Sequence, residues 1–207
     1  MLTQLSGKNL KKVFNRRVIF KEVAFALHPG QSLLITGPNG SGKSTLVKII
    51  SGVLTPTEGE VEAVWNGSRT LRDLLPLIGL VSPYLQMYEE FSARENLEFA
   101  LAARGLRSLS GGVVRLLEEF QLGGRIDDPV RTFSSGMKQR VKYAFALVHR
   151  PPILILDEPM SNLDTRGMDL VASIMAEQLK EGILVVATND VDDLKTCDCR
   201  VDLGRRE

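Results

Sequence analysis

The sequence contains little cysteine, little histidine and no long apolar run. Two of its 207 residues are cysteines, Cys197 and Cys199, and two are histidines, His28 and His149. A disulfide between cysteines one residue apart would be strained, so we expect reduced thiols, with a metal-binding pair as the weaker alternative. No stretch reaches the roughly 18 apolar residues of a membrane-spanning helix. The first residues also lack the charged and apolar regions of a secretory signal.

An excess of charge of either sign is also missing. The chain has 26 lysines and arginines against 25 aspartates and glutamates, which gives a formal net charge of +1. Such a balance provides no general reason to expect nucleic acid or another polyanion as a partner. The length and the hydrophobic content of 43% are ordinary for a globular protein with one sizeable core.

A glycine-rich stretch carries the clearest chemical signal. Residues 37–45, GPNGSGKST, fit the pattern G-x-x-x-x-G-K-[ST] at every fixed position. The apolar run Ser32–Thr36 predicts a buried strand before this stretch. A helix is predicted to begin near Lys43 and to stop before Gly52. Strand, glycine loop and helix are the context that this phosphate-binding motif requires.

The residue types of the loop suit the phosphates of a nucleoside triphosphate. Its glycines let the backbone turn tightly, so that successive N–H groups face a phosphate chain. Lys43 adds a charge for the β- and γ-phosphates, Ser44 offers a hydroxyl to Mg²⁺, and Thr45 can support the α-phosphate. A glycine-rich turn without a ligand is the alternative. The predicted binding residues are Gly37, Pro38, Asn39, Gly40, Ser41, Gly42, Lys43, Ser44 and Thr45.

Two carboxylates follow a second apolar run. The run 153–156, ILIL, reads as a buried strand and leads into Asp157 and Glu158. Ligands of open α/β sheets bind at the carboxyl ends of the strands. Asp157 is therefore predicted to hold Mg²⁺ together with Ser44, and Glu158 to polarise a water that attacks the γ-phosphate. An acidic turn at the end of a strand is the structural alternative.

The rest of the chain alternates between strand and helix patterns. The first 35 residues read as strands, and Gly59–Trp65 reads as an edge strand that ends in the turn Asn66-Gly67. From about 92 to 150 the pattern is helical, and it begins with a capping box at Ser92 and Glu95. We therefore predict one α/β core interrupted by a helical insertion of about sixty residues.

The segment Phe133–Arg140, FSSGMKQR, resembles the signature of the ABC ATPase family, usually Leu-Ser-Gly-Gly-Gln. The segment 161–164, SNLD, resembles the D-loop of the same family. Glycine loop, helical insertion, signature, acidic strand end and D-loop follow in that family's order. The resemblance covers essentially the whole chain, so the chain is similar to an ABC-type nucleotide-binding subunit.

This resemblance implies a fold and its boundaries. It implies an α/β P-loop NTPase core with N-terminal antiparallel β-strands and an inserted helical subdomain. The whole chain, 1–207, would form one ABC ATPase domain. The core would comprise approximately 1–83 and 151–207, and the helical subdomain 84–150.

The resemblance also implies an activity and partners. The chain would bind and hydrolyse ATP with Mg²⁺ and power a separate integral membrane permease, as a peripheral protein on the cytoplasmic side of the cell membrane. A second ATPase subunit would complete the site, in a homodimer or alternatively a heterodimer, and no nucleic acid partner is expected. A soluble ABC-type ATPase and a different P-loop phosphotransferase are the alternatives. In its short length, this chain is similar to the haem-exporter ATPase of cytochrome c biogenesis and related export ATPases.

In such a dimer, each ATP would lie between the glycine loop of one copy and the signature of the other. The resemblance assigns Ser134, Ser135, Gly136 and Met137 to this second contact. It assigns Ser161 and Asp164 to the D-loop. Phe133, Ser135 and Met137 depart from the usual signature, but the N–H of Ser135 remains available as a donor.

Three further positions also differ from the family pattern. Phe14 falls where an aromatic residue, usually tyrosine, stacks on adenine; an ordinary core or surface phenylalanine is the alternative. The expected Q-loop glutamine falls on Pro83 or Tyr84, so either the loop is shifted and Gln86 reaches Mg²⁺ or that ligand is missing. Asn189 occupies the place of the catalytic histidine. It can donate a hydrogen bond to a γ-phosphate oxygen but cannot carry a proton, so we expect slow hydrolysis.

Overall fold

A computed structural model describes residues 1–70, 75–106, 111–161, 163–189 and 197–204. The chain divides into two units, a core of residues 1–82 and 152–207 and a helical unit of residues 83–151. Asn162 of the predicted D-loop lies outside the described residues. Within them, no helix is both long and apolar enough to cross a membrane.

Strands that are close together in the sequence form the antiparallel sheet of the core. Its order is β2-β1-β4-β5, and its strands are β1 (Leu2–Phe14), β2 (Arg17–Leu27), β4 (Glu58–Trp65) and β5 (Ser68–Thr70). β1 and β2 form a hairpin whose turn residues, Asn15 and Arg16, both have positive φ. The N-terminal strands and the Asn66-Gly67 turn are confirmed. β4 lies between β1 and β5, so its prediction as an edge strand was wrong.

A parallel sheet carries the loops of interest. Its order is β6-β7-β8-β3-β9, and its strands are β3 (Ser32–Thr36), β6 (Ile78–Val81), β7 (Ile153–Asp157), β8 (Ile183–Thr188) and β9 (Cys199–Asp202). All residues of β3, β7 and β8 are buried. Their continuous apolar sequences are typical of strands covered on both faces.

Two α-helices lie in the described part of the core unit. α1 (Lys43–Ile50) packs against β7 and β8, and α5 (Thr165–Glu181) packs against β8. α1 ends as predicted, with Gly52 at a φ of 75° just beyond it. Apolar side chains of both sheets and of α1 belong to one hydrophobic core, which includes Leu5, Leu46 and Val185.

The helical unit contains α2 (Ala93–Ala102), α3 (Gly112–Glu119) and α4 (Ser135–Leu147). The predicted capping box at the start of α2 is confirmed. The Glu95 N–H donates to the Ser92 hydroxyl at 3.2 Å, and the Ser92 N–H donates to the Glu95 carboxylate at 2.7 Å. These bonds satisfy N–H groups that the first turn of a helix leaves without partners.

Candidate functional site

The carboxyl ends of three neighbouring strands bring the predicted catalytic residues of the core together. β3 runs into the glycine loop, β7 ends at Asp157, and β8 is followed by Asn189. The strands are parallel and in register, with Thr36 opposite Thr188 and Asp157 opposite Ala187. The site therefore follows directly from the strand order β7-β8-β3.

Two positions of the glycine loop are packed so closely that only glycine fits. Gly42 has a φ of 109°, and a Cβ placed on it would lie 2.5 Å from Ile19 Cγ2 of β2. Gly37 has a φ of 145°, and its Cβ would lie 2.6 Å from Ser41 Oγ. A side chain at either position would need both an unfavourable backbone conformation and a displaced neighbour. The antiparallel sheet thus fixes the glycine loop from one side.

Lys43 is the buried cation of the site. Only 6% of its surface is exposed, and its ammonium donates to the Gly37 carbonyl at 2.9 Å and to the Asn189 side-chain oxygen. It also lies 3.3 Å from a carboxylate oxygen of Glu158. A buried charge is tolerated when acceptors surround it. Lys43 therefore connects the glycine loop to the ends of β7 and β8.

Asp157 is the buried acid. Burial raises the pKa of its carboxyl, and the nearby Glu158 adds to this effect; a hydrogen bond with Ser44 and the charges of Lys43 and Lys48 oppose it. Its Oδ1 is buried and makes no hydrogen bond among the described residues. Because burial disfavours the charged form, an ionised carboxylate in this position would be stabilised by a cation beside it. Asp157 and Ser44 thus form a pair of oxygen donors at the start of α1.

Glu158 adopts an unusual backbone conformation. Its φ is 51°, in the left-handed region, and its N–H donates to the Ala187 carbonyl at 2.7 Å. Only a few per cent of non-glycine residues have positive φ. This turn directs the side chain to Lys43 and to the N–H of Asn189, which donates to Glu158 Oε2 at 3.4 Å. Strained residues of this kind concentrate at functional sites.

Both ends of the Asn189 amide are engaged. Its Oδ1 accepts from Lys43, and its Nδ2 donates to Asn39 Oδ1 at 2.8 Å. The side chain therefore joins the lysine and a glycine-loop residue on one side to Glu158 on the other. The contact between Asn189 and Asn39 was not predicted, because no local pattern indicates a pairing across 150 positions.

Phe14 lies at the end of β1 and is 44% exposed. The Lys12 ammonium lies 4.8 Å from the centre of its ring and donates to the Thr55 carbonyl at 2.8 Å. The ring therefore lies at the surface rather than in the core. Adenine stacking on this ring stays a prediction.

The signature residues stand at the start of α4 in the helical unit. Ser134 is the N-cap, and its hydroxyl accepts from the Met137 N–H at 3.3 Å. Ser135 and Gly136 are exposed in the first turn, while Phe133 is buried beneath Arg125. Backbone N–H groups and hydroxyls at a helix start can hold an anion.

For three other predicted positions, Gln86, Asp164 and Ser161, the structure shows no contact that tests the predicted role. Gln86 is exposed in the helical unit, in the segment between β6 and α2. Asp164 is the N-cap of α5, and its Oδ1 accepts from the Gly167 N–H at 2.8 Å. Ser161 is exposed, and its N–H donates to the Glu158 carbonyl at 3.2 Å. The predicted D-loop thus begins three positions after the glutamate.

A neighbour of the glycine loop was missed entirely. The Leu203 N–H donates to the Thr36 carbonyl at 2.8 Å. A Cβ on Gly37 would lie 3.2 Å from Gly204 N, so the peptide after β9 lies directly against the loop. The sequence carries only a weak signal here, because β9 places one strongly apolar residue, Val201, between charged ones.

Together, the geometry of the glycine loop and the two acids at the end of β7, Asp157 and Glu158, define a P-loop nucleoside triphosphatase. The family model for ABC transporters matches residues 20–161. The chain belongs to this family, as the ATP-binding and ATP-hydrolysing subunit that powers a transporter. The comparisons give no support to a soluble ABC-type ATPase or to a phosphotransferase.

Named relatives and solved structures agree with this assignment. The lantibiotic transport ATP-binding protein SrtF of Streptococcus pyogenes is 32% identical over 187 residues, which cover 90% of this chain and 80% of the relative. The cytochrome c biogenesis ATP-binding export protein CcmA of Nitrosomonas europaea is 31% identical, with 90% and 88% covered. A solved ATP-binding subunit of an ABC transporter matches with a TM-score of 0.83 at 30% identity and covers 98% of this chain and 86% of that chain. The fold prediction is therefore confirmed.

Proposed function

We propose that residues 37–45 hold the phosphates of ATP and that Lys43, Glu158 and Asn189 carry out its hydrolysis. The observation that supports this proposal is their convergence: the Lys43 ammonium contacts the Gly37 carbonyl, the Asn189 amide and the Glu158 carboxylate. Bound ATP offers its β- and γ-phosphates to the same ammonium. We also propose that the core and the helical unit act as one ATPase domain.

The residues present fit Mg²⁺. The Ser44 hydroxyl and the Asp157 carboxylate are hydrogen bonded, and Asp157 Oδ1 is buried with acceptor capacity left. Among the described residues, no group of three or more acidic, histidine or cysteine side chains could hold a metal ion. Nucleotide-bound Mg²⁺ is usually held by one or two protein oxygens together with phosphates and water. When bound, Mg²⁺ would be held by Ser44 and Asp157 and would neutralise negative charge on the phosphates.

Glu158 is proposed as the general base. Its carboxylate takes a proton from a water while that water attacks the γ-phosphorus and the bond to the β-phosphate oxygen breaks, so ADP leaves and the proton stays on Glu158. The left-handed backbone directs the carboxylate towards Lys43 rather than into solvent. Phe14 is proposed to stack on adenine with the ring face that Lys12 leaves open.

Asn189 is proposed to limit hydrolysis. We expect Asn189→His to hydrolyse ATP about tenfold faster than the wild type, because an imidazolium adds a charged hydrogen bond to the transition state. Asn189→Ala should be slower than the wild type, since it loses the contacts with Lys43 and Asn39. Steady-state phosphate release measures all three. Equal rates for the wild type and Asn189→His would contradict the proposal.

A second copy is proposed to complete the site. Ser134, Ser135, Gly136 and Met137 of one copy would contact the γ-phosphate held by the glycine loop of the other. The exposed first turn of α4 supports this, because an adenine nucleotide is an anion that fits a helix start. Ser161 and Asp164 would face the second copy beside it. Identical subunits are proposed, and a heterodimer is the alternative.

An integral membrane permease is the proposed partner, and the chain would act as a peripheral subunit on the cytoplasmic side of the cell membrane. Support comes from an exposed aromatic patch in the helical unit, formed by Tyr88, Phe91 and Phe99. The ring of Tyr88 lies 5.4 Å from that of Phe91 and 5.0 Å from that of Phe99. Exposed aromatic clusters of this kind mark interaction surfaces. Relatives named as export proteins favour an exporter.

A buried asparagine holds this aromatic patch in place. Asn96 is fully buried in α2; its Oδ1 accepts from the Tyr88 N–H at 2.9 Å, and its Nδ2 donates to the Tyr88 carbonyl at 3.0 Å. The patch is therefore preorganised for binding. Glu89 and Glu90 beside it form ion pairs with Lys138 and Arg131, so cations also lie at its border.

Site-specific photocrosslinking in membranes of the native host tests the partner. A photoreactive residue at position 88 should crosslink to a protein with several membrane spans. The same residue at position 53, where the exposed Val53 lies in the core unit, is the matched control and should not. Crosslinks only to soluble proteins from position 88, or the same membrane protein from position 53, would contradict the proposal.

A further inference from the structure

The peptide that follows β9 lies directly behind the glycine loop, residues 37–45. β9 pairs with β3 in parallel, with Asp202 opposite Thr36, the last residue before the loop. The Leu203 N–H continues this pairing to the Thr36 carbonyl at 2.8 Å. Leu203 is buried in the core. The segments that follow β3 and β9 therefore leave the sheet side by side.

One side chain sets the course of this peptide. The exposed Asp202 accepts a hydrogen bond from the Gly204 N–H at its Oδ1, at 2.8 Å. This bond closes a turn over residues 202–204. A Cβ on Gly204 would lie 3.4 Å from Pro38 Cδ, and one on Gly37 would lie 3.2 Å from both Gly204 N and Leu203 C. The Asp202 turn and the first loop residues thus lie so close that little room remains for a side chain between them.

The supported loop residue is coupled to the central cation. Gly37 has a φ of 145°, and its carbonyl accepts from Lys43 at 2.9 Å. A shift of the Gly37 peptide would move this acceptor and the N–H groups that follow it. The side of Gly37 that faces Gly204 has no side chain of its own to fill it. The position of the loop therefore depends on the peptide behind it.

We propose that Asp202 is a positioning residue for ATP binding: its bond to the Gly204 N–H holds the Leu203-Gly204 peptide against Gly37. Asp202 acts through the backbone and does not touch the nucleotide. The proposal rests on ATP binding at residues 37–45. Because the bond needs only an acceptor oxygen, an asparagine at this position should preserve it.

Equilibrium binding of a fluorescent ATP analogue to the purified chain tests this role. Asp202→Ala should weaken binding about three- to tenfold, the range expected when a hydrogen bond that orders a binding loop is lost. Asp202→Asn should bind within about twofold of the wild type, since its side-chain oxygen accepts the same bond. Hydrolysis at saturating ATP should change less than the affinity.

The start of β9 offers a matched control. Asp198 accepts from the Ser32 N–H at 2.8 Å and from the Ser32 hydroxyl at 3.0 Å, at the end of β3 away from the glycine loop. Asp198→Ala should lower the melting temperature and leave ATP affinity unchanged. Wild-type affinity for Asp202→Ala would overturn the proposal. So would tighter binding by both Asp202 variants, which would indicate charge repulsion. A wild-type chain that fails to bind ATP would instead refute binding at the loop.

Discussion

Glu158→Gln should abolish ATP hydrolysis, with a rate at least about 100-fold below that of the wild type. A positioned general base contributes on the order of 10²–10⁴-fold, and glutamine cannot take the proton. The substitution keeps the size of the side chain and one of its two oxygens, so the contact of Lys43 with Oε1 can persist while an NH2 group replaces the Oε2 that accepts from the Asn189 N–H. ATP binding should therefore persist. Phosphate release under single-turnover conditions measures the loss.

The same variant tests dimer formation. Because ATP is bound but not consumed, a pair of copies closed by ATP should accumulate and elute as a dimer in gel filtration. Glu181→Gln, at the exposed end of α5, is the matched control and should behave like the wild type. Hydrolysis by Glu158→Gln within tenfold of the wild type would refute the proposed base. Its failure to dimerise with ATP would refute the completed site.

Lys43→Met should weaken ATP binding at least about 100-fold. The methionine fills a similar volume but removes the buried ammonium, together with its bonds to the Gly37 carbonyl and the Asn189 amide. It also leaves Glu158 beside Asp157, whose pKa the Lys43 charge lowers. Two carboxylates without that cation repel each other and the phosphates. Titration of the fluorescent ATP analogue measures the affinity.

Lys48 provides the control for this change. It lies on the same helix, is exposed, and makes the smallest of the contributions that lower the pKa of Asp157. Lys48→Met should bind ATP within about threefold of the wild type. Equal losses in the two variants would mean that the overall charge near α1, rather than the Lys43 contacts, governs binding. Melting curves of both variants show whether either has lost its fold.

Elements with local signals were predicted well. The glycine loop, the capping box of Ser92 and Glu95, and the helix stop at Gly52 each depend on residues a few positions apart. Their stabilising bonds form within one turn, so the pattern in the sequence is sufficient. The buried strands β3, β7 and β8 were equally clear, because strands covered on both faces are continuously apolar.

Pairings between distant residues could not be predicted in the same way. β4 alternates as an edge strand would, yet β5 pairs with its second side after the turn at Asn66-Gly67. The amide of Asn189 could be placed at the end of β8 from sequence, but its bond to Asn39 depends on strand order. Asp202 has an ordinary sequence context, and only the pairing of β9 with β3 brings its turn to Gly37.

The left-handed backbone conformation of Glu158 implies a trade-off between thermal stability and ATP turnover. Glycine adopts a φ of 51° with little strain, whereas glutamate holds it at a cost of order 1 kcal/mol. Engineering that rewards resistance to heat alone would therefore favour a glycine at this position and discard the proposed base. This substitution would raise stability but remove catalysis. Selection for a more heat-resistant variant of this protein must therefore include phosphate release as a second criterion.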